Sequence, residues 1–443
     1  MPGLHAPLPV PYTSGHKIQP RHLGLSNENC EVAVNLSGNR ATSGRVLHAN
    51  NNHNNGLDGN NINNDARFAG IGQAPARTTI MSGELWERLC SYQNLELAFK
   101  KARKHKTLKP YVIEFEKKLQ DNLLLLRTEL LLHSYRPQPL RTFILRDPKT
   151  RKISKSEFRD RVVHHALCNV IEPIFEKSFV YDSYANRKGK GTLKALERLE
   201  SFKLKATKNN TRTACALKAD IRQYFENVDH TTLLKIAKEN VQDRRILWLI
   251  ETILANYGKN GKGMPLGNLT SQFLANVYLN KLDWFVKQTL NARHYLRYVD
   301  DFVILDASIQ RLEQHKHNIE LFLATELGLE LHPGKSTIRE IRSGIGFLGF
   351  RIFHQHKLLK KSSERKLQRK LTMFKHALAQ GTVSYDKVYS SFEGWLAHAR
   401  HGNTYNVRRK IINKFDALFG NKTASVEISR WLQRAESAKS SKA

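Results

Sequence analysis

The sequence predicts an α+β fold followed by a helical C-terminal region. Segments with helical periodicity alternate with short apolar segments that have strand composition, and most of those strand segments lie close to another one in the chain. From Lys357 onward the sequence is basic and helical throughout. Mixed elements followed by helices alone are typical of an α+β architecture with an appended helical module.

Helices are predicted wherever apolar residues recur at i, i+3, i+4 and i+7. From about Met81, "ELWERLCSYQNLELAFKKARK" and "YVIEFEKKLQDNLLLLRTELLLHSY" show this spacing, and "LTSQFLANVYLNKLDWFVKQTL" predicts another long helix. Strands are predicted at "RTFIL" and "RKIS" around a turn at "RDPKT", and at the apolar segment "FLGFRIF". "ACALKADIRQYF" predicts a buried strand that runs into a helix, and "HYLRYVDDFVIL" predicts two strands that meet at a pair of aspartates.

Residues 1–80 differ in composition from the rest. They are rich in Pro, Gly, Ser and Asn, and residues 50–64 contain nine asparagines in fifteen positions. Such a stretch buries too little apolar surface to offset its loss of conformational entropy. We expect residues 1–80 to be a mostly disordered leader.

Cysteine usage and hydropathy bear on the expected cellular location. The four cysteines are widely scattered, which indicates neither a zinc site nor a disulfide framework. The sequence contains no run of 18 apolar residues, so no membrane span is predicted. The first residues lack the pattern of a secretion signal. A reducing cytoplasm is the expected location.

The charge is strongly unbalanced. With 72 Lys and Arg against 40 Asp and Glu, the formal net charge is +32 and the pI is near 10.0. Such an excess indicates a polyanionic partner, most simply nucleic acid. A ribosomal protein or one that binds a membrane surface would have the same charge, so the charge by itself indicates no reaction.

Three carboxylates adjoin predicted strands in this basic chain. Asp220 follows the apolar run Ala214 to Ala219, and Asp300 with Asp301 interrupts "RYVDDFVIL". Carboxylates in ones and twos suit Mg²⁺, and two such ions can clamp the oxygens of a phosphoryl displacement. Taken singly, each aspartate is more simply a turn or cap residue. The combination favours a metal site.

The segments that surround these aspartates resemble the reverse transcriptases over about residues 85–410. "ADIRQYF" is similar to the first catalytic block of that family and "YVDD" to the second. The resemblance implies a right-hand polymerase with fingers, a palm of short antiparallel sheet plus helices, and a helical thumb. It places the N-terminal helices and fingers at 81–213, the palm at 214–356, and the basic thumb and tail at 357–443.

The resemblance also implies roles for individual residues. Two Mg²⁺ ions would be held by Asp220, Asp300 and Asp301 with the carbonyl of Ile221. Phe225 would exclude a ribose 2′-hydroxyl, or be only a core aromatic, and Tyr298 would lie under the primer terminus.

Further blocks agree in order and spacing. "YANRKGKGTLKAL" is similar to a fingers segment whose cations meet template or triphosphate, and "RTFILRDPKTRKI" to the hairpin before it. In "LELHPGKS", Lys335 would donate a proton to the leaving pyrophosphate, or be a solvated turn residue. "GFLGFRI" resembles the primer grip, in which small residues approach the primer strand. The implied contacts are Arg187, Lys188 and Lys190 for the nucleotide, and Arg141, Lys149, Arg151, Gly346 and Gly349 for phosphates, template or primer.

The segment "GMPLGNLTSQFLANVYLNKLD" resembles the enzymes of diversity-generating retroelements. Intron-encoded and retron enzymes usually have Gln-Gly and Ser-Pro where this chain has Leu266-Gly267 and Ser271-Gln272. These four residues, with Asn268, would line the nucleotide pocket. The resemblance implies cDNA synthesis from an RNA template with errors at template adenines, dNTPs as substrates, and an accessory basic barrel protein as partner. The charged Lys155-Ser156-Glu157 departs from the small residues expected there.

Two alternatives stay open. A group II intron or phage-defence reverse transcriptase would share the catalytic blocks, although no HNH-like or zinc-ligand segment follows the thumb. A catalytically idle RNA-binding maturase would not need all three carboxylates.

Overall fold

The computed structural model describes residues 84–146, 150–258, 260–420 and Ala424, all within one compact unit. The predicted leader, residue Lys149 of the predicted phosphate contacts and the last residues of the tail lie outside this part of the chain.

Helices make up most of the described chain. Their bounds are α1 Glu84–Cys90, α2 Tyr92–Arg103, α3 Pro110–Lys117, α4 Leu119–Leu131, α5 Phe158–Glu176, α6 Thr192–Ala206, α7 Tyr224–Asn227, α8 His230–Lys238, α9 Arg244–Ala255, α10 Leu269–Trp284, α11 Ile309–Glu326, α12 Lys361–Ala379, α13 Tyr385–Ala399 and α14 Tyr405–Phe419. The helical pattern from Glu84 is split because the Ser91 hydroxyl caps α2 by accepting from the Asn94 N–H. The second N-terminal pattern is split at Lys118, and α10 continues into one π-helical turn, Phe285–Thr289.

Nine strands form three small antiparallel sheets among the described residues. Their bounds are β1 Arg141–Leu145, β2 Arg151–Lys155, β3 Cys215–Asp220, β4 Tyr295–Tyr298, β5 Asp301–Asp306, β6 Thr337–Glu340, β7 Ile345–Phe347, β8 Phe350–Ile352 and β9 Lys357–Leu359. The sheets are β1-β2, β4-β5-β3-β6 and β7-β8-β9. The predicted β1–β2 and β4–β5 hairpins are confirmed.

Two strand predictions need correction. Most strands were expected to pair with a strand close in the chain. β3 instead pairs with β5 and β6, which follow it by about 80 and 120 residues. "FLGFRIF" is two strands, because Leu348 and Gly349 both have positive φ and form a hairpin turn between β7 and β8.

The four-stranded sheet is buried on both faces. On β5, Phe302 and Ile304 belong to the main apolar core, whereas Val303 and Leu305 belong to a second core. This alternation follows the period of two of a strand. Helices α10 and α11 supply residues to the main core and α6 supplies residues to the second. Strong burial on both sides fixes the register of β3 against β5.

The C-terminal helices α12, α13 and α14 have an apolar core of their own, centred on the stacked rings of Phe392 and Phe415. The segment that was predicted as helical from Lys357 begins instead with β9, and α12 follows it. The predicted bounds of palm and thumb stay predictions. Within the described chain, no helix is both long and apolar enough to cross a membrane.

Candidate active site

Strand pairing brings the three aspartates to one edge of the four-stranded sheet. Asp220 ends β3 and lies directly opposite Asp301, the first residue of β5. Asp300 lies in the two-residue turn between β4 and β5, and its carbonyl accepts the Ile221 N–H at 3.1 Å. The chain therefore gathers, at one edge, three carboxylates from positions about eighty residues apart.

The turn that presents Asp300 is strained. Val299 has a φ of +58°, and the adjoining residue Asp300 is not in the left-handed region. Glycine is the usual residue at this first turn position, and a β-branched side chain is rare there. Such a conformation costs roughly 1–3 kcal/mol and persists only where the surrounding structure holds it.

Two lysines neutralise the carboxylates. The Lys335 ammonium lies 2.7 Å from a carboxylate oxygen of Asp220, and the Lys218 ammonium lies 3.0 Å from Asp301. Lys335 is 43% exposed, whereas Lys218, two residues before Asp220 on β3, is 21% exposed. Lys335 was predicted from the sequence, whereas Lys218 was not.

Burial and mutual repulsion raise the pKa values in this cluster. Burial raises the pKa of Asp301 to about 6, and the Lys218 ammonium opposes this shift. Burial also raises the pKa of Asp300, and the charge of Asp220 adds to the effect. Bringing like carboxylates together out of water disfavours their ionised forms, so the cluster gains free energy from any nearby positive charge.

The donor set fits hard divalent cations. Two carboxyl groups with raised pKa values, those of Asp300 and Asp301, and two ammonium groups in contact with Asp220 and Asp301 indicate a site that favours positive charge. As the side chains stand in residues 84–146, 150–258 and 260–420, no three Asp, Glu, His or Cys groups converge on one point. The lysines pair with two of the carboxylates there.

Residues 146–352 match the family model described as reverse transcriptase (RNA-dependent DNA polymerase). The match begins just after β1, ends with β8 and contains all three aspartates. These residues form a reverse transcriptase domain. Its enzymatic class is RNA-directed DNA polymerase.

The chain is also similar to curated relatives and, more distantly, to a solved structure. Protein YkfC of Escherichia coli is 28% identical over 280 residues, which cover 54% of this chain and 73% of YkfC. The group II intron-encoded protein LtrA of Lactococcus lactis is 23% identical over 291 residues, 49% of this chain and 47% of LtrA. The structure of apo telomerase from Candida tropicalis aligns with a TM-score of 0.45 at 12% identity, covering 67% of this chain and 61% of that chain. The chain thus spans about half the length of LtrA.

In the reverse transcriptase domain, the segment before α10 contacts β2. The Leu266 carbonyl accepts the Ser154 N–H at 3.0 Å, and the Asn268 side chain accepts the Ser156 N–H at 3.0 Å. Gly267 has a φ of +116°, and a Cβ there would lie 2.9 Å from Ile153. Only glycine allows β2 to approach so closely. Ser156, one of the unexpected residues after β2, thus has a defined backbone contact.

Three other pocket residues were predicted from the sequence. Two of them follow the Leu266 segment in α10, and the third, Phe225, is joined to that segment by a backbone hydrogen bond. Ser271 is buried and Gln272 is exposed in the first turn of α10. Phe225 is half-buried against the main core, and its carbonyl accepts the Met264 N–H at 2.7 Å. This bond ties the segment after Asp220 to the segment that leads into Leu266.

The predicted nucleotide-binding cations differ in their surroundings. The guanidinium of Arg187 donates to Glu176 and to the carbonyls of Val180 and Ser183, and its side chain is only 6% exposed. The Lys190 ammonium donates to the Tyr181 carbonyl at 2.8 Å. Lys188 is exposed; burial raises the pKa of Glu172, and the charge of Lys188 opposes that shift. Arg187 and Lys190 hold the loop together, and their contact with a nucleotide stays a prediction.

The two predicted contact residues described in the β1–β2 hairpin, Arg141 and Arg151, are exposed. Arg141 forms an ion pair with Glu157. Arg151 lowers the pKa of Asp300 by its charge, so its guanidinium is close enough to act on the aspartate cluster. Of the two, Arg151 has the better position for a ligand held at the carboxylates.

The predicted primer contacts lie on β4 and on the β7–β8 hairpin. The Tyr298 hydroxyl is 3.1 Å from the Thr192 hydroxyl, and the ring packs against the second core. A Cβ at Gly349 would lie 3.1 Å from His398 of α13, and one at Gly346 would meet the Lys360 side chain at 3.4 Å. Gly349 thus allows close contact with α13, and Gly346 with the residue that precedes α12. Contact of either glycine with a primer stays a prediction.

Gly267→Ala should lower kcat/KM for dNTP incorporation by about 10-fold, because the added methyl pushes β2 away from the segment before α10. Primer extension at varied dNTP concentration measures this. Gly261→Ala is the matched control: its φ is also positive, at +70°, but nothing lies within 4 Å of the added Cβ. Equal losses in both variants would show that the contact with Ile153 is unimportant.

The raised pKa of Asp301 predicts a pH-dependent stability. The folded chain favours the protonated carboxyl, so this stabilising contribution is complete below pH 3.8 and is lost as the pH rises to about 6. In chelator, the stability of the unmodified chain relative to Asp301→Asn should therefore fall by about 2 kcal/mol between pH 4 and pH 7. Urea unfolding at each pH measures this difference. A difference that stays constant with pH would contradict the prediction.

Proposed function

We propose that the reverse transcriptase domain makes cDNA from an RNA template by Mg²⁺-dependent nucleotidyl transfer, as the error-prone enzyme of a diversity-generating retroelement. The observation that carries the reaction is the position of Asp220, Asp300 and Asp301 at one sheet edge inside that domain. The observation that supports the type is the block Leu266 to Gln272 beside β2.

In this proposal Asp220 and Asp300 bind the cations, with Asp301 and the Ile221 carbonyl beside them. Mg²⁺ held there would supply positive charge to the phosphate oxygens. The primer 3′-hydroxyl would lose its proton to water as its oxygen bonds to the α-phosphorus, and the bond from that phosphorus to pyrophosphate would break. The Lys335 ammonium, which donates to the Asp220 carboxylate, would give its proton to the leaving oxygen.

The nucleotide would lie between the aspartate edge and the β1–β2 hairpin. Arg151 supplies positive charge from the hairpin, and Phe225 supplies an apolar ring that leaves no room for a 2′-hydroxyl. The bond from Met264 to the Phe225 carbonyl holds that ring in a fixed relation to the Leu266 segment. Selection for deoxynucleotides and fidelity toward the template would then depend on adjoining parts of one pocket.

The macromolecular partners follow from charge. The net charge of +32 suits template RNA and the RNA/DNA duplex, and the basic helices after β9 would contact phosphates without reading sequence. An accessory basic barrel protein is proposed from the resemblance alone.

A group II intron-like reverse transcriptase is the second candidate. The similarity to LtrA favours it, because that relative is itself encoded by a group II intron. The two candidates share the chemistry and differ in fidelity, so the error spectrum distinguishes them.

Asp300→Asn should lower cDNA synthesis by at least about 100-fold, because the cation site loses a charged ligand. Primer extension on an RNA template measures synthesis, and a filter assay measures RNA binding, which should not change. The matched control is Asp306→Asn at the opposite end of β5, which should retain synthesis. Near-normal synthesis by Asp300→Asn would refute the proposed active site.

Sequencing of cDNA should reveal errors concentrated at template adenines. Leu266→Gln, which introduces the residue usual in intron-encoded enzymes, should reduce those errors by about 10-fold or more, whereas Leu124→Gln on exposed α4 should not. Uniform fidelity in the unmodified chain would favour the intron-like candidate, and absence of any product would favour an idle RNA-binding protein.

A further inference from the structure

Arg297 is the largest of the fully buried side chains in the described chain, with 1% exposure. It lies on β4, three residues before Asp300. Burial of a guanidinium is tolerated only when its charge is paired and its donors are satisfied. Arg297 has no role in the proposed reaction.

All five N–H donors of the guanidinium have an acceptor. Asp283 accepts at 2.7 Å from Nε and at 2.5 Å from Nη2, which is a two-pronged ion pair. Nη2 also donates to the Ser183 hydroxyl at 3.2 Å. Nη1 donates to the Asn276 side chain at 3.2 Å and to the Val299 carbonyl at 2.9 Å.

These acceptors come from segments that carry other parts of the predicted site. Asp283 and Asn276 lie on α10, the helix that begins at the Leu266 to Gln272 block. Ser183 pairs with Arg297 through its backbone as well, and its chain continues into the loop of Arg187 and Lys190. One side chain thus joins α10, the loop and the aspartate turn.

The contact with the Val299 carbonyl bears directly on the aspartates. Val299 is the strained turn residue, and its carbonyl belongs to the peptide group that joins Val299 to Asp300. With φ at +58°, Val299 would relax toward the common regions if nothing held it. Relaxation would rotate the peptide and move the Asp300 carboxylate away from Asp220.

We propose that Arg297 is a positioning residue: through Asp283 it is anchored on α10, and through Val299 it holds the strained turn that aims Asp300. The inference rests on the proposed function of the aspartate cluster. It adds a residue that touches neither substrate nor cation and sets the geometry of one that does. The planar, forked donor set is essential, because Lys has three donors on one atom and cannot reach Asp283 and Val299 together.

The test compares Arg297→Lys with Tyr295→Phe. The Tyr295 hydroxyl also donates to Asp283, at 2.5 Å, so its removal weakens the anchor while leaving the Val299 contact intact. Arg297→Lys should lower kcat by about 100-fold with KM for dNTP within about two-fold, since a small misplacement of a reacting group slows chemistry more than binding. Tyr295→Phe should retain kcat within about three-fold.

Two further readouts separate positioning from loss of fold. Mn²⁺ binding, followed by electron paramagnetic resonance without substrate, should weaken by about 10-fold in Arg297→Lys and not in Tyr295→Phe. Adding Val299→Gly to Arg297→Lys should restore most of kcat, because glycine adopts the turn conformation without support. Melting curves check that the compared variants are folded at the assay temperature. If Arg297→Lys is not, Asn276→Ser provides the same comparison with a milder change next to the same Nη1 atom.

The outcomes are distinct. Equal kcat and Mn²⁺ binding in Arg297→Lys and Tyr295→Phe would overturn the positioning role, and so would a folded double variant that Val299→Gly does not rescue. Absence of cDNA synthesis in the unmodified chain would instead refute the proposed function, because then no variant could lose it.

Discussion

The repulsion between three carboxylates is the constraint on which the site depends. The register of β3 against β5 sets Asp220 opposite Asp301, and the turn adds Asp300 beside them. Burial raises the pKa values of Asp300 and Asp301, and the charge of Asp220 adds to both shifts, so the arrangement is unfavourable unless positive charge compensates it. Lys218 and Lys335 compensate in part. Repulsion between carboxylates that the lysines leave uncompensated destabilises the folded chain. The same repulsion would favour the binding of a cation at this edge.

The surrounding structure supports this arrangement at a cost to stability. A buried ion pair such as Arg297 with Asp283 contributes little net stability compared with an apolar replacement, although breaking one partner is costly by about 3–5 kcal/mol. The strained Val299 is a second unfavourable feature. The buried ion pair and the strained residue both adjoin the aspartate turn. Both lower the stability of the fold while they fix the geometry of that turn. The double-faced core of the four-stranded sheet supplies the rigidity that allows them.

The segment before α10 contacts parts of the chain that are distant in sequence. The Leu266 carbonyl and the Asn268 side chain bind the backbone of β2 and of the residue after it, and Gly267 permits that closeness. Through α10, the same segment is joined to Arg297 and so to Asp300. A chain of hydrogen bonds therefore joins the Leu266 block, through α10 and Arg297, to the turn that carries Asp300.

The sequence by itself determined the α+β class, the β1–β2 and β4–β5 hairpins, and the three aspartates, because strand composition and turn residues are local signals. It did not determine the pairing of β3 with β5 and β6, which brings Asp220 to the turn. Nor did it distinguish Arg187, held by Glu176 and backbone carbonyls, from an exposed cation. Lys218, Asp283 and Arg297 escaped notice, although a charge within an apolar strand such as "HYLRYVDDFVIL" was an available signal. Only tertiary structure decides which charges are buried, because burial depends on residues that are distant in the chain.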